Sequence, residues 1–222
     1  MITMMKAKLH YSRSPLTEAL IDIRVALPDG TPVETLASMQ AGQETLYPQR
    51  RKRVQFAGQF SVNAEEPSGI TSQVHDGYIF SSEDGRQVVQ ARLDGFTFSR
   101  LAPYENWESF QGEARRLWKV YRSIARPETI TRLAVRYINH LNLPLPIEDF
   151  NHYLRTIPEI SSDLPQSLSG YFMQLQIPQP DLQAMLILNE ALLESTIEDN
   201  ITILLDIDIF RDTDIPNDEE GV

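Results

Sequence analysis

At 222 residues, with 41% hydrophobic and 23% charged side chains, the chain has the composition of an ordinary globular protein, long enough for one sizeable core or two fused halves. The absence of cysteine excludes disulfides, thiolate metal sites and cysteine nucleophiles, and points to a reducing, cytoplasmic setting. The net charge of −11 is unevenly placed: residues 1–126 hold 16 Lys+Arg and 14 Asp+Glu, whereas residues 127–222 hold 4 and 17 and carry −13.

Such a field repels phosphate backbones and attracts basic partners. The opening residues Met1 to Lys8 lack a signal-peptide core and no 18-residue apolar run offers a membrane span, so a soluble protein without membrane contact is expected.

In chain order, Leu20 to Leu27 alternates Ile21, Ile23 and Val25 against Asp22 and Arg24, the period of a half-buried strand. Pro28-Asp29-Gly30 turns the chain, and Pro32 to Tyr47 reads as a helix capped by Thr31 and weakened by Gly42. Arg51 to Val62, Ser72 to Ser82, Arg86 to Leu93 and Phe96 to Leu101 read as a meander, its turns at Glu83 to Arg86 and at Asp94-Gly95. Asn106 caps the strongest helix, where Trp107, Phe110, Ala114, Leu117, Trp118, Tyr121 and Ile124 recur at helical spacing before Pro127.

The second half repeats the order. Thr129 to Leu141 is a strand, Ile147 to Leu154 a short helix, Arg155 to Gln166 a loop, and Leu168 to Ile177, Leu182 to Leu193 and Ile201 to Phe210 are strands. An internal echo supports the repeat: Arg24-Val25 before Pro32-Val33-Glu34-Thr35-Leu36 returns as Arg136-Tyr137 before Pro146-Ile147-Glu148-Asp149-Phe150. The expected fold is α+β, an antiparallel sheet covered on one side by helices, pseudo-duplicated as β-α-β4-α. That arrangement resembles the saddle of TATA-binding proteins in topology only. Residues 1–211 would form one domain of two halves, 1–126 and 127–211, followed by an acidic flexible tail, 212–222.

Pro15-Leu16-Thr17-Glu18-Ala19, Gly77-Tyr78-Ile79-Phe80, Asp94-Gly95-Phe96-Thr97-Phe98-Ser99-Arg100-Leu101, Pro103-Tyr104 with Trp107, and Leu205-Asp206-Ile207-Asp208 form one pattern. It resembles a sporadically distributed family of uncharacterised bacterial and archaeal proteins with no established catalytic site. The resemblance implies a further C-terminal helical segment, and hence an exposed apolar surface here where that helix would lie.

Three groups of residues bear on chemistry. Asp206 and Asp208 share one face of a strand and offer oxygen ligands to a divalent cation, or are simply its wet face. Arg24, Arg92 and Arg136 lie on polar strand faces and suit a carboxylate or phosphate, or pair across strands with Asp22, Asp206 and Asp208. The basic run Arg50, Arg51, Lys52 and Arg53, with Phe56, Phe60 and Tyr78 nearby, suits nucleic acid, against which the pI of 4.8 speaks. His10, His75, His140 and His152 lack metal-site spacing, and no serine elbow or Gly-rich phosphate loop occurs, so no cofactor is expected.

The leading expectation is therefore a non-enzymatic cytoplasmic protein that binds a protein partner, a basic one, through its sheet. The family's sporadic distribution adds a toxin-neutralising or defence-associated role by analogy. A small-ligand binder or metal-dependent enzyme built on the strand Asp and Arg residues is the alternative, and nucleic-acid binding the third.

Overall fold

The computed structural model describes residues 14–62, 67–166 and 168–215, with 56–62 and 67–72 described through the backbone alone. Its organising element is a single nine-stranded antiparallel sheet. The strands are β1 (Leu16–Ala26), β2 (Gln49–Val62), β3 (Pro67–Ser81), β4 (Gln87–Arg92), β5 (Gly95–Leu101), β6 (Thr129–Pro144), β7 (Phe172–Gln179), β8 (Ala184–Leu193) and β9 (Asn200–Arg211). Their spatial order is β2-β3-β4-β5-β1-β6-β9-β8-β7, running outward on both sides from the central β1–β6 pair.

Among the described residues there is one α-helix, α1 (Trp107–Ala125). Asn106 caps it by accepting from the Ser109 amide at 2.8 Å, and Arg126 ends it in the left-handed region at φ 50°. The apolar stripe of α1 buries Phe110, Leu117, Trp118 and Tyr121 against Phe96 and Phe98 of β5. A 3-10 helix, Val33–Gln40, lies beside α1 and adds buried Leu36 and Met39. It stops short of the Pro32 to Tyr47 expectation because Gly42, at φ 73°, leaves the helical region.

The helix expected at Ile147 to Leu154 is a 3-10 turn of three residues, Phe150–His152. This overturns the α+β reading with helices covering both halves: the fold is β-rich, and its helical cover lies over β1, β3, β4 and β5. The physical reason is local. Pro144 and Pro146 precede the segment and Pro158 follows it, leaving too short a span for tertiary contacts to stabilise a longer helix. Ile147, Phe150 and Leu154 instead pack as loop side chains on Leu143 and Ile203, forming a small second cluster.

Glycine has structural meaning at two strand positions. A Cβ on Gly77 would lie 2.2 Å from the Ala91 carbonyl oxygen, and one on Gly95 would lie 2.3 Å from that of Ile23. Gly77 is therefore a close-approach glycine inside β3.

Candidate functional site

The two faces of the sheet differ in chemistry. On the face away from α1, alternation along β1 presents Asp22 and Arg24, while Ile21 and Ile23 point into the core. Thr97 of β5 stands opposite Asp22, and Ala134 of β6 stands opposite it on the other side. Arg24 and Arg136 each lie two residues beyond this central Asp22–Ala134 pair, Arg24 opposite Arg132 and Arg136 opposite Leu20.

Asp22 anchors a continuous charge network. Its Oδ1 accepts from Arg92 Nη2 at 2.9 Å and from Thr97 Oγ1 at 2.7 Å, and its Oδ2 accepts from Arg24 Nε at 3.2 Å. Asp94 receives the remaining reach of both arginines, from Arg92 Nε at 2.8 Å and Arg24 Nη1 at 2.9 Å. Arg132 Nη1 lies 3.5 Å from Asp22 and its Nη2 donates to Asp208 at 2.8 Å, linking β1 through β6 to β9. Its guanidinium also sits 4.4 Å over the Phe210 ring.

Further along, Arg136 grips Asp206 bidentately at 2.7 and 2.7 Å. Asn189 of β8 donates to Asp206 at 2.9 Å, and Gln174 of β7 donates to Asn189 at 2.8 Å. Burial raises the Asp22 carboxyl, but Thr97 and the Arg92 and Arg24 guanidiniums outweigh it and hold it below its ordinary value. Burial would lower Arg92, yet Asp22 and Asp94 raise it. The hydrogen bonds from Arg136 to Asp206 likewise raise Arg136.

The sequence-selected residues thus fall in two groups on one face: Arg24, Arg92 and Asp208 join the Asp22 network, Asp208 through Arg132, while Arg136 and Asp206 pair with each other beside it. Four carboxylates, Asp22, Asp94, Asp206 and Asp208, balance four guanidiniums, Arg24, Arg92, Arg132 and Arg136. Asp208 Oδ1 is buried without a hydrogen-bond partner. Among the described residues no three His, Asp or Glu side chains gather as a metal site would need. Sequence reasoning missed Arg132 and Asp94. Arg132 shares the parity of Arg136 on β6, which was the available signal, and Asp94 opens the Asp94-Gly95 turn.

The basic run is divided by the pleat of β2. Arg51 and Arg53 face with Ile79 and Gly77, and Arg50 and Lys52 face with the core residues Phe80 and Tyr78. Arg53 is paired with Asp76 and Arg50 lies 5.9 Å over the Tyr78 ring. The Phe56 and Phe60 side chains lie outside the described residues.

The opposite face holds two apolar rows without a covering layer. Leu175, Leu188 and Ile207 form one row across β7, β8 and β9, and Ile177, Leu186 and Ile209 form the next. These rows run on into Tyr137 and Val135 of β6, which pack against the main core. None of the six belongs to either hydrophobic cluster; five are half-buried and Ile177 is 39% exposed. A third row places Glu190 between Met173 and Leu205; it is 1% exposed, accepts from Tyr171 Oη at 2.7 Å, and burial raises its carboxyl above its ordinary value. Asp181, Asp212 and Asp214 are exposed around the end of the sheet where the β7–β8 turn and the end of β9 meet.

No helix among the described residues is long and apolar enough to cross a membrane. No family model matches this chain, and no curated protein does.

Proposed function

We propose that this protein is a non-enzymatic binding module that receives an amphipathic, cation-rimmed helix from a partner protein on the apolar face of β7, β8 and β9. The observation that carries the reading is the pair of apolar rows, Leu175-Leu188-Ile207 and Ile177-Leu186-Ile209, lying outside both cores. Two rows about 7 Å apart across three strands spaced about 5 Å make a floor suited to one helix, about 10–12 Å across. The molecule's own α1 covers an equivalent floor, Phe96 and Phe98, with a stripe of the same kind.

Charge selects the partner. The second half carries −13, and Asp181, Asp212 and Asp214 are exposed in the segments that leave the end of the floor, around Arg211, which lies on the floor's own face. Lys or Arg residues flanking the apolar stripe of an incoming helix would meet that field, which speeds encounter and sets orientation. The setting remains cytoplasmic on this reading. The polar face, on the other side of the sheet, speaks for structure rather than catalysis, since its charges are mutually neutralised.

The test is fluorescence anisotropy with a labelled 18-residue Leu/Lys amphipathic helix, beside a Leu/Glu helix of the same pattern. The Leu/Lys peptide should bind, Leu188→Lys should weaken it at least about tenfold, the equivalent of 1.4 kcal/mol, and the Leu/Glu peptide should not bind. Equal binding of both peptides, or binding unchanged by Leu188→Lys, contradicts the reading.

A further inference from the structure

The two edges of the sheet are built oppositely. β2 closes one edge and carries four successive cations, Arg50, Arg51, Lys52 and Arg53, the kind of charge that keeps an edge strand from pairing with another chain. β7 closes the other edge with the sequence Phe172-Met173-Gln174-Leu175-Gln176-Ile177-Pro178-Gln179, which has no charge at all. Among the described residues, the backbone of Phe172–Gln179 makes no hydrogen bond outside its ladder with β8. Half of its donors and acceptors therefore face outward, and only Pro178, near one end, lacks an N–H.

The sequence of β7 is also self-complementary. In a two-fold antiparallel pair whose axis is normal to the sheet, opposed residues share a face, so the register must pair positions of equal parity. Centred on Leu175, that register sets Leu175 against Leu175 of the second copy, Met173 against Ile177, and Gln174 against Gln176. The first two contacts lie on the apolar face and the third on the polar face, where primary amides both donate and accept. Phe172, 69% exposed, meets Pro178 at the margin.

We infer that this edge is a homotypic interface: two copies join β7 to β7 antiparallel in the Leu175-centred register, making one continuous sheet. The acidic second halves do not forbid it. The strand itself is neutral, Glu190 is buried, and charges beyond about 8 Å are screened at physiological ionic strength. Pairing sets the apolar rows of the two copies side by side, although the interface rests on the edge and not on helix docking.

The experiment is sedimentation equilibrium of the full chain, with two double variants on the polar face that leave the apolar rows intact. Wild type should reach twice 25.4 kDa with rising concentration. Q174K/Q176K places like charges opposite each other at both polar positions and should weaken the dimer at least about tenfold. Q174E/Q176K places each Glu opposite a Lys of the second copy and should restore it. Both variants lose the same Gln174–Asn189 hydrogen bond, so a difference between them reports the interface. A wild type that stays at 25.4 kDa, or two double variants that dimerise equally, overturns the inference. Peptide binding by a monomeric protein would overturn this interface alone, leaving the docking reading standing.

Discussion

One sheet carries two ends with opposite solutions to the same problem. At the β3-β4-β5-β1 end, the apolar face is closed by α1 and the 3-10 helix, and Phe96 is fully buried. At the β9-β8-β7 end, equivalent rows of Leu and Ile lie outside either cluster, although 147–157 closes one corner over Leu143 and Ile203. The difference teaches that apolar alternation alone does not make a core: a sheet face becomes one only when a second layer removes it from water.

Substitution should expose this contrast first in stability. Phe96→Ala opens a cavity under Trp118 and Tyr121 and should cost about 3–5 kcal/mol in urea unfolding. Leu188→Ala, in a face already partly wet, should cost about 1 kcal/mol or less. Equal losses would mean that the second face is as well covered as the first.

A second contrast lies within the charge network. Arg92 is 6% exposed at its side chain, whereas Arg136 is 40% exposed. Asp22→Ala leaves the buried Arg92 guanidinium with Asp94 as its one carboxylate and removes the anchor of Arg24 and Arg132, and should cost about 3 kcal/mol. Asp206→Ala should cost less, because Arg136 can turn to water. The pH dependence follows from the same residue. The folded Asp22 carboxyl is depressed, so its contribution is present above the unfolded carboxylate value and is lost as pH falls through the folded one. Acid unfolding should be shallower in Asp22→Asn, measured by midpoint denaturant concentration between pH 5 and 2.

These contrasts also mark how far the sequence could be read. The alternation of Asp22 and Arg24, and of Asp206 and Asp208, put them on polar strand faces from local pattern alone, and Asp94-Gly95 marked its hairpin. Local pattern carries no information on which strands become neighbours, so the link Asp22–Arg132–Asp208 emerged only from the β1–β6–β9 order. The helix at Ile147 to Leu154 failed for a related reason. Its apolar spacing was helical, but proline on both sides and a small cluster beneath it gave tertiary packing the decision.

The smallest expected effect has the opposite sign. The folded Glu190 carboxyl is raised, so its ionised form is disfavoured and its contribution is fully present only below the unfolded value. Glu190→Gln still accepts from Tyr171 and should leave the melting temperature at pH 7 equal or slightly higher, with the difference vanishing in acid. A clear loss at pH 7 would mean that the ionised carboxylate has a partner that stabilises it.

The central claim is that the β7-β8-β9 floor is a docking surface, and methyl-resolved NMR during titration with the Leu/Lys helix tests it most directly. Leu175, Leu186, Leu188, Ile207 and Ile209 methyl signals should shift together, while Leu20, Val88 and Ile138 on the opposite face stay in place. Shifts confined to that opposite face, or none at all, would contradict it.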